Sequence, residues 1–384
     1  MTTPSEDAEL LKRRSGGRSR ILIVVAVIAV AVILIAVGVL AGWFSPQPTT
    51  ILGAGATFPY PLIAKWASVY NSSGANVRVN YQGIGSGGGI TQITAKTVDF
   101  AASDAPLKAS ERAAAPGLLH IPETIGSVTA AYNVLDPNGQ AIPSGLNLTG
   151  AVLADIYLGK ITRWNHANIT ALNPGVALPG RTIQVVHRSD SSGTTFVWTS
   201  YLHLSSSRWI SSLVGKSINW PVGLAGKGNT GVAGVVLQTP DSIGYVELAY
   251  TVQNSMKVAK IQNPAGKWIL PTLASTAAAA ASAPTLPSPG ADWFNVTILN
   301  AAGDTSYPIS TFTYLLVYKE LNTIGASMTQ VKAKALVDFL WWCIHDGQGY
   351  SADLAYPTLP TTVVTLVDEP AIRSITYNGV ALHS

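Results

Sequence analysis

An α/β fold follows from two features of this sequence. Short apolar runs rich in β-branched residues recur along it, and several lead through a Gly-, Ser- or Thr-rich turn into a helical pattern. At 384 residues the chain is also long enough for two domains and a large core. A third feature stands apart from the α/β part. Residues 21–41 carry no charge and are rich in Val, Ile, Leu and Ala, which predicts one helix long enough to cross a bilayer.

Taken in order, residues 1–20 form a basic tail, with Lys12, Arg13, Arg14, Arg18 and Arg20 outnumbering Glu6, Asp7 and Glu9. Basic residues before the apolar segment and none close behind it place its start in the cytoplasm. Trp43 and Phe44 suit the far interface, so residues 21–44 read as an anchor. A cleaved signal peptide has a shorter apolar core. Residues 45–50, Ser-Pro-Gln-Pro-Thr-Thr, are a short, stiff linker. Everything beyond them is expected outside the cell. Composition agrees, since charged residues are 11%, against roughly 25% in typical soluble domains. The net charge is +4, and half of it belongs to the tail, so no broad basic face for nucleic acid is implied. Cys343 is the single cysteine, which excludes an internal disulfide and a cysteine metal cluster. The six His are scattered, without a His-Glu-x-x-His pair, and no metal or cofactor is expected.

The first turn, Gly53-Ala54-Gly55-Ala56-Thr57-Phe58-Pro59, leads into a helix with Leu62, Ile63, Trp66, Val69 and Tyr70 on one side. Thr57 is either an N-cap or a hydroxyl donor to an anion. Residues 77–81 read as a strand, followed by Gly83-Ile84-Gly85-Ser86-Gly87-Gly88-Gly89 and a helix over 90–96. Gly83-x-Gly85-x-x-Gly88, with Asp104 further on, fits a dinucleotide fingerprint, so a Rossmann-type cofactor domain is one alternative. Any strand–turn–helix that hugs an oxyanion selects the same glycines. Residues 97–102 form another strand, which puts Asp104 at a strand's C-terminal end, the usual ligand side of an α/β sheet.

The densest turn is His187-Arg188-Ser189-Asp190-Ser191-Ser192-Gly193-Thr194-Thr195, between a strand at 182–186 and a helix at 196–202. Free N–H groups and the helix dipole make such a helix start an anion site. Arg188 adds a full charge able to make two parallel bonds. Any one of these residues could be a simple cap; the cluster as a whole points to an anion.

These turns resemble those of the substrate-binding proteins of ABC-type phosphate importers. The matching runs are 53–59, 81–86, 98–106 and 188–194, with Asp155-Ile156-Tyr157-Leu158-Gly159-Lys160-Ile161, Lys227-Gly228-Asn229 and Ile243-Gly244-Tyr245-Val246-Glu247, in the family's order. The resemblance implies a two-lobed, type II periplasmic-binding-protein-like fold with a hinge. Lobe I would hold residues 51–132 and 305–384, and lobe II residues 133–304, with strands at 125–134 and 310–318 crossing between them. It further implies that Ala56, Thr57 and Phe58 offer backbone N–H groups, with the Thr57 hydroxyl. Ser86 offers hydroxyl and N–H, and Asp104 accepts the proton carried by phosphate. Arg188 pairs with the anion, steered by Asp190, and Ser192, Gly193 and Thr194 donate from the helix start. The chain departs from the family in its anchor, where a cleaved signal or lipid is usual, and in Gly87, where a second serine is common.

The implied partners are inorganic phosphate, an ABC phosphate permease with its ATPase subunits, and the membrane. No catalysis is implied: Ser86 and Ser192 lack a Gly-x-Ser-x-Gly elbow, and no His lies nearby in sequence as a base, beyond His187 in the turn itself. A binding-protein fold used for signalling or adhesion is the other alternative.

Overall fold

The computed structural model describes residues 23–34 and 47–383, in two units, Met1–Pro48 and Thr49–Ser384. In the first, residues 23–34 are helical with exposed side chains. Among the described residues no helix is long and apolar enough to cross a membrane. The rest of the expected anchor, and the basic tail, lie outside the described residues.

The second unit begins with three parallel strands, β1 (Thr49–Gly55), β2 (Val77–Gly83) and β3 (Phe100–Ser103). Helices α1 (Tyr60–Asn71) and α2 (Ser86–Thr94) follow β1 and β2. The first buries Leu62, Ile63, Trp66 and Tyr70 of the face its spacing predicts, with Val69 half-buried and Ala67 buried in addition. The second starts directly after Gly85, four residues earlier than expected, so Ser86 stands in its first turn. A short helix α3 (Ala109–Ala114) leads to β4 (Leu118–Asn133), 16 residues long and buried to its penultimate residue.

Beyond β4 come β5 (Gln184–Arg188), α4 (Gly193–Ser205), β6 (Leu224–Gly226), α5 (Gly228–Gln238), β7 (Ser242–Glu247) and α6 (Leu248–Gln253). Then follow α7 (Leu273–Ala281), in the alanine-rich run, and β8 (Ser310–Tyr318). The strand order is β2-β1-β3-β8-β4-β7-β5-β6. Strand β4 joins the two halves of this sheet. Its residues Leu118–Ser127 pair with β8, and Val128–Asn133 pair with β7.

Two details differ from the sequence expectation. Strand β8 has the expected bounds but pairs with β3 and the first part of β4 rather than running across to β7. The link between the halves comes just before it, where the Val128 N–H donates to Ile309 O at 2.8 Å and the Tyr307 hydroxyl to Val128 O at 3.1 Å. Residues 288–296, assigned by sequence to the second lobe, also contact the first, while Phe294 packs against Phe196 of α4. The His120 N–H donates to Pro289 O, and Trp293, fully buried, lies against the rings of His120 and Tyr314. A large aromatic side chain finds its burial there, and it takes the backbone with it.

Candidate anion-binding site

The ends of β1, β2, β3 and β5 converge, so four strand–turn segments from both halves of the sheet meet. From the first half come Thr57, Ser86 and Asp104, all less than a tenth exposed. From the second come Arg188, Ser192 and Thr194, equally buried. The two sets touch. The Gly193 N–H donates to Ser86 Oγ at 3.1 Å, and the Thr194 hydroxyl donates to Asp104 Oδ2 at 2.9 Å. The Gly87 N–H reaches Ser191 O at 3.0 Å. Such close approach requires glycine at 193, where a Cβ would lie 2.5 Å from Ser86 Oγ and 2.8 Å from the Asp104 Cβ. It also requires glycine at 85, where φ is +88° and a Cβ would meet Asp190 Oδ2 at 2.4 Å.

Arg188 is not solvated. Its Nε and Nη2 donate to the two oxygens of Asp190 at 2.8 and 2.5 Å, and Nη1 points to Thr194 Oγ1 at 3.3 Å. Asp190 thus holds the guanidinium at these two nitrogens and also accepts the Gly228 N–H at 2.9 Å. Burial pushes the Asp190 carboxyl up, but the Arg188 hydrogen bonds and charge outweigh it and hold it below its ordinary range. Asp104 goes the other way. Burial pushes it up to about 7, against the Thr194 hydroxyl and the Arg188 charge, and its Oδ1 has no partner among the described residues. A carboxyl poised near neutrality beside a buried guanidinium can take or share a proton on a bound anion.

Three expected backbone donors are otherwise engaged, the Gly193 N–H by Ser86 Oγ as above. The Ala56 N–H extends the β1–β3 ladder by donating to Ala102 O at 2.8 Å, so it cannot face an anion. The Ser192 N–H donates to Lys216 O at 2.9 Å, and Ser192 Oγ caps α4 by accepting the Thr195 N–H, which leaves its hydroxyl hydrogen without an acceptor among the described residues. Among the described residues the Thr57 and Phe58 N–H groups donate to no protein acceptor. Asp104, the acid of the dinucleotide alternative, is buried against Thr194 instead of presented to a ribose.

The structure adds residues that sequence reasoning left without a role. Asn229, fully buried at the start of α5, reaches Thr57 Oγ1 with both its N–H and its side-chain amide at 3.1 Å, and Thr194 Oγ1 at 3.3 Å. The Tyr245 hydroxyl accepts the Arg188 N–H at 3.0 Å and pairs with the Thr195 hydroxyl at 2.6 Å. Both residues stand in the runs Lys227-Gly228-Asn229 and Ile243-Gly244-Tyr245, which carried the signal without the geometry.

Comparison with known proteins agrees with this picture. Residues 45–344 match the model of the PBP superfamily domain. The chain is 44% identical over 324 residues to the phosphate-binding protein PstS of Xylella fastidiosa, covering 83% of this chain and 84% of the relative. It is 46% identical over 320 residues to that of Pasteurella multocida, covering 83% and 88%. Among solved structures, a human phosphate binding apolipoprotein superposes with a TM-score of 0.62 at 22% identity, over 82% of this chain and 92% of the other. A high affinity periplasmic phosphate-binding protein solved with phosphate gives 0.61 at 23%, over 82% and 91%. These two likenesses concern the fold.

Proposed function

Because the chain belongs to the PBP superfamily, with phosphate-binding proteins PstS among its relatives, we propose that it binds inorganic phosphate for import through an ABC permease and its ATPase subunits. The observation that carries this reading within the molecule is the meeting of Asp104 and Arg188 across Thr194. A phosphate ion needs both a cation and an acceptor for its own proton, and the two lobes bring one each. Thr57, Phe58, Ser86 and the Ser192 hydroxyl would supply neutral donors around them, joined by Gly193 and Thr194 once the anion replaces Ser86 Oγ and Asp104 Oδ2 as their acceptors. Binding between lobes joined by a strand fits capture by hinge closure and delivery without turnover.

Membrane attachment is the second part of the proposal. It rests on the uncharged residues 21–41 behind a basic tail. Equilibrium binding of labelled phosphate to the purified chain, with sulfate and a nucleotide as competitors, tests the ligand. Competition by nucleotide and not by unlabelled phosphate overturns it. Membrane fractionation tests the anchor: the whole chain is expected with the membranes and a chain lacking residues 1–44 in the soluble fraction. A mature N-terminus near Ser45 overturns the anchor alone.

A further inference from the structure

Residues 56–58 have three successive carbonyls, and each accepts a hydrogen bond from a tyrosine. The Tyr81 hydroxyl donates to Ala56 O at 2.8 Å, that of Tyr250 to Thr57 O at 2.5 Å, and that of Tyr356 to Phe58 O at 2.7 Å. The three come from β2, from α6 and from the C-terminal region, so no local motif produces the row.

A peptide group is planar and trans, so its C=O and N–H point in opposite directions. The Ala56 carbonyl shares its peptide group with the Thr57 N–H, and the Thr57 carbonyl shares one with the Phe58 N–H. Pinning these carbonyls from behind therefore aims the two N–H groups, the same two that donate to no protein acceptor among the described residues. A hydrogen bond to the carbonyl also polarises the peptide and strengthens its N–H as a donor. The Phe58 carbonyl differs, because the next residue is Pro59 and no N–H exists to aim.

We infer that Tyr81 and Tyr250 are positioning residues for anion capture, which hold and polarise the N–H groups of Thr57 and Phe58. Tyr81 belongs to the same half of the sheet as the loop and acts in either state of the hinge. Tyr250 lies on α6 of the other half, so its bond to Thr57 O forms on closure. Closure thereby completes a donor as well as covering the ligand. Tyr356 is outside this role and satisfies a buried carbonyl. The inference rests on phosphate being the ligand.

The test uses the full chain with inorganic phosphate. Tyr250→Phe, Tyr81→Phe and Tyr356→Phe keep the rings and remove one hydroxyl each. Tyr250→Phe is expected to weaken binding about tenfold, the scale of one lost hydrogen bond, chiefly through faster release. In the amide NMR spectrum of the phosphate complex it is expected to move the Phe58 N–H resonance. Tyr81→Phe is expected to weaken binding and move that of Thr57. Tyr356→Phe is expected to lower the melting temperature while affinity stays within about twofold, the pattern of a purely structural hydroxyl. If Tyr81→Phe and Tyr250→Phe show that same pattern, with both amide resonances in place, the inference falls. Should one of the two not fold, the other decides by itself. Failure of the unsubstituted chain to bind phosphate overturns the functional reading instead, so the two failures are told apart.

Discussion

On the proposed function, selectivity would rest on Asp104 because of what it can and cannot accept. At neutral pH phosphate holds one or two protons and sulfate holds none. Asp104 can accept a hydrogen bond from phosphate, but it meets sulfate lone pair to lone pair. Sites that depend on one such bond reject the analogue lacking it by roughly 10⁴–10⁵. Replacing Asp104 by Asn removes the repulsion and can turn an N–H toward the ligand. In competitive titration at fixed pH and ionic strength, the phosphate-to-sulfate affinity ratio of Asp104→Asn is expected to fall at least about tenfold. An unchanged ratio in a folded variant would remove Asp104 from the discrimination. The position of Asp104 was legible in the sequence, because a polar residue just past a strand end faces the ligand side of the sheet. The engagement of Ala56 and Ser192 was not. Their N–H groups are taken by Ala102 and Lys216, and a donor's partner cannot be read from its own segment. The same holds for Asn229, which meets Thr57 across 172 residues of chain.

At the scale of the element, β4 shows why its first half was missed. Its residues Pro122 and Glu123 break an apolar run, and the sequence reading began the strand only after them. In the structure the β4–β8 register shifts at this point. Thr124 faces Thr313 and Pro122 faces Tyr314, which leaves Glu123 as the extra residue of a bulge. A bulge is one of the few places a central strand tolerates proline. It also turns the Glu123 carboxyl into the interior, where the Thr313 hydroxyl donates to Oε1 at 2.9 Å and Oε2 has no partner among the described residues. Burial pushes this carboxyl up to about 8, with the Thr313 bond opposing and Asp104 adding to the rise. An unfolded glutamate titrates near ~4.3. The folded chain therefore keeps a proton that the unfolded chain releases between those values. This contribution to stability is full below about pH 4 and is lost as pH rises through about 8. Glu123→Gln removes the titration. Melting temperatures measured from pH 5 to 9 are expected to decline less steeply for the variant than for the parent chain. Parallel curves would mean that Glu123 is ionised in the fold.

At the scale of the whole molecule the question is what holds the two halves together around a ligand. The site supplies part of the answer, and the rim supplies another. Lys216, in the segment after α4, gives its ammonium to both oxygens of Glu111 on α3, at 2.6 and 2.8 Å. The side chains are 13% and 16% exposed, so solvent screens this pair less than an ordinary surface pair. Both partners are tied to other parts of the fold. Glu111 Oε2 accepts the Lys108 N–H at 3.0 Å, at the start of α3. The Lys216 carbonyl accepts the Ser192 N–H, so the latch residue also holds the turn that presents Gly193 and Thr194. An interaction made only after closure stabilises the closed complex without changing how often the ligand arrives, and so acts on release. Glu111→Gln keeps a carbonyl for the Lys108 N–H and removes the charge. Release of phosphate into a trap, followed by stopped flow, is expected to quicken about tenfold, on the order of 1.4 kcal/mol, with the association rate little changed. Raising the salt concentration is expected to quicken release from the parent chain more than from the variant, because the parent alone has an ion pair here to screen. Equal release rates in the two chains at low salt would take this pair out of the closing energy and leave the lobes held by the buried contacts at Thr57, Ser86 and Asp104.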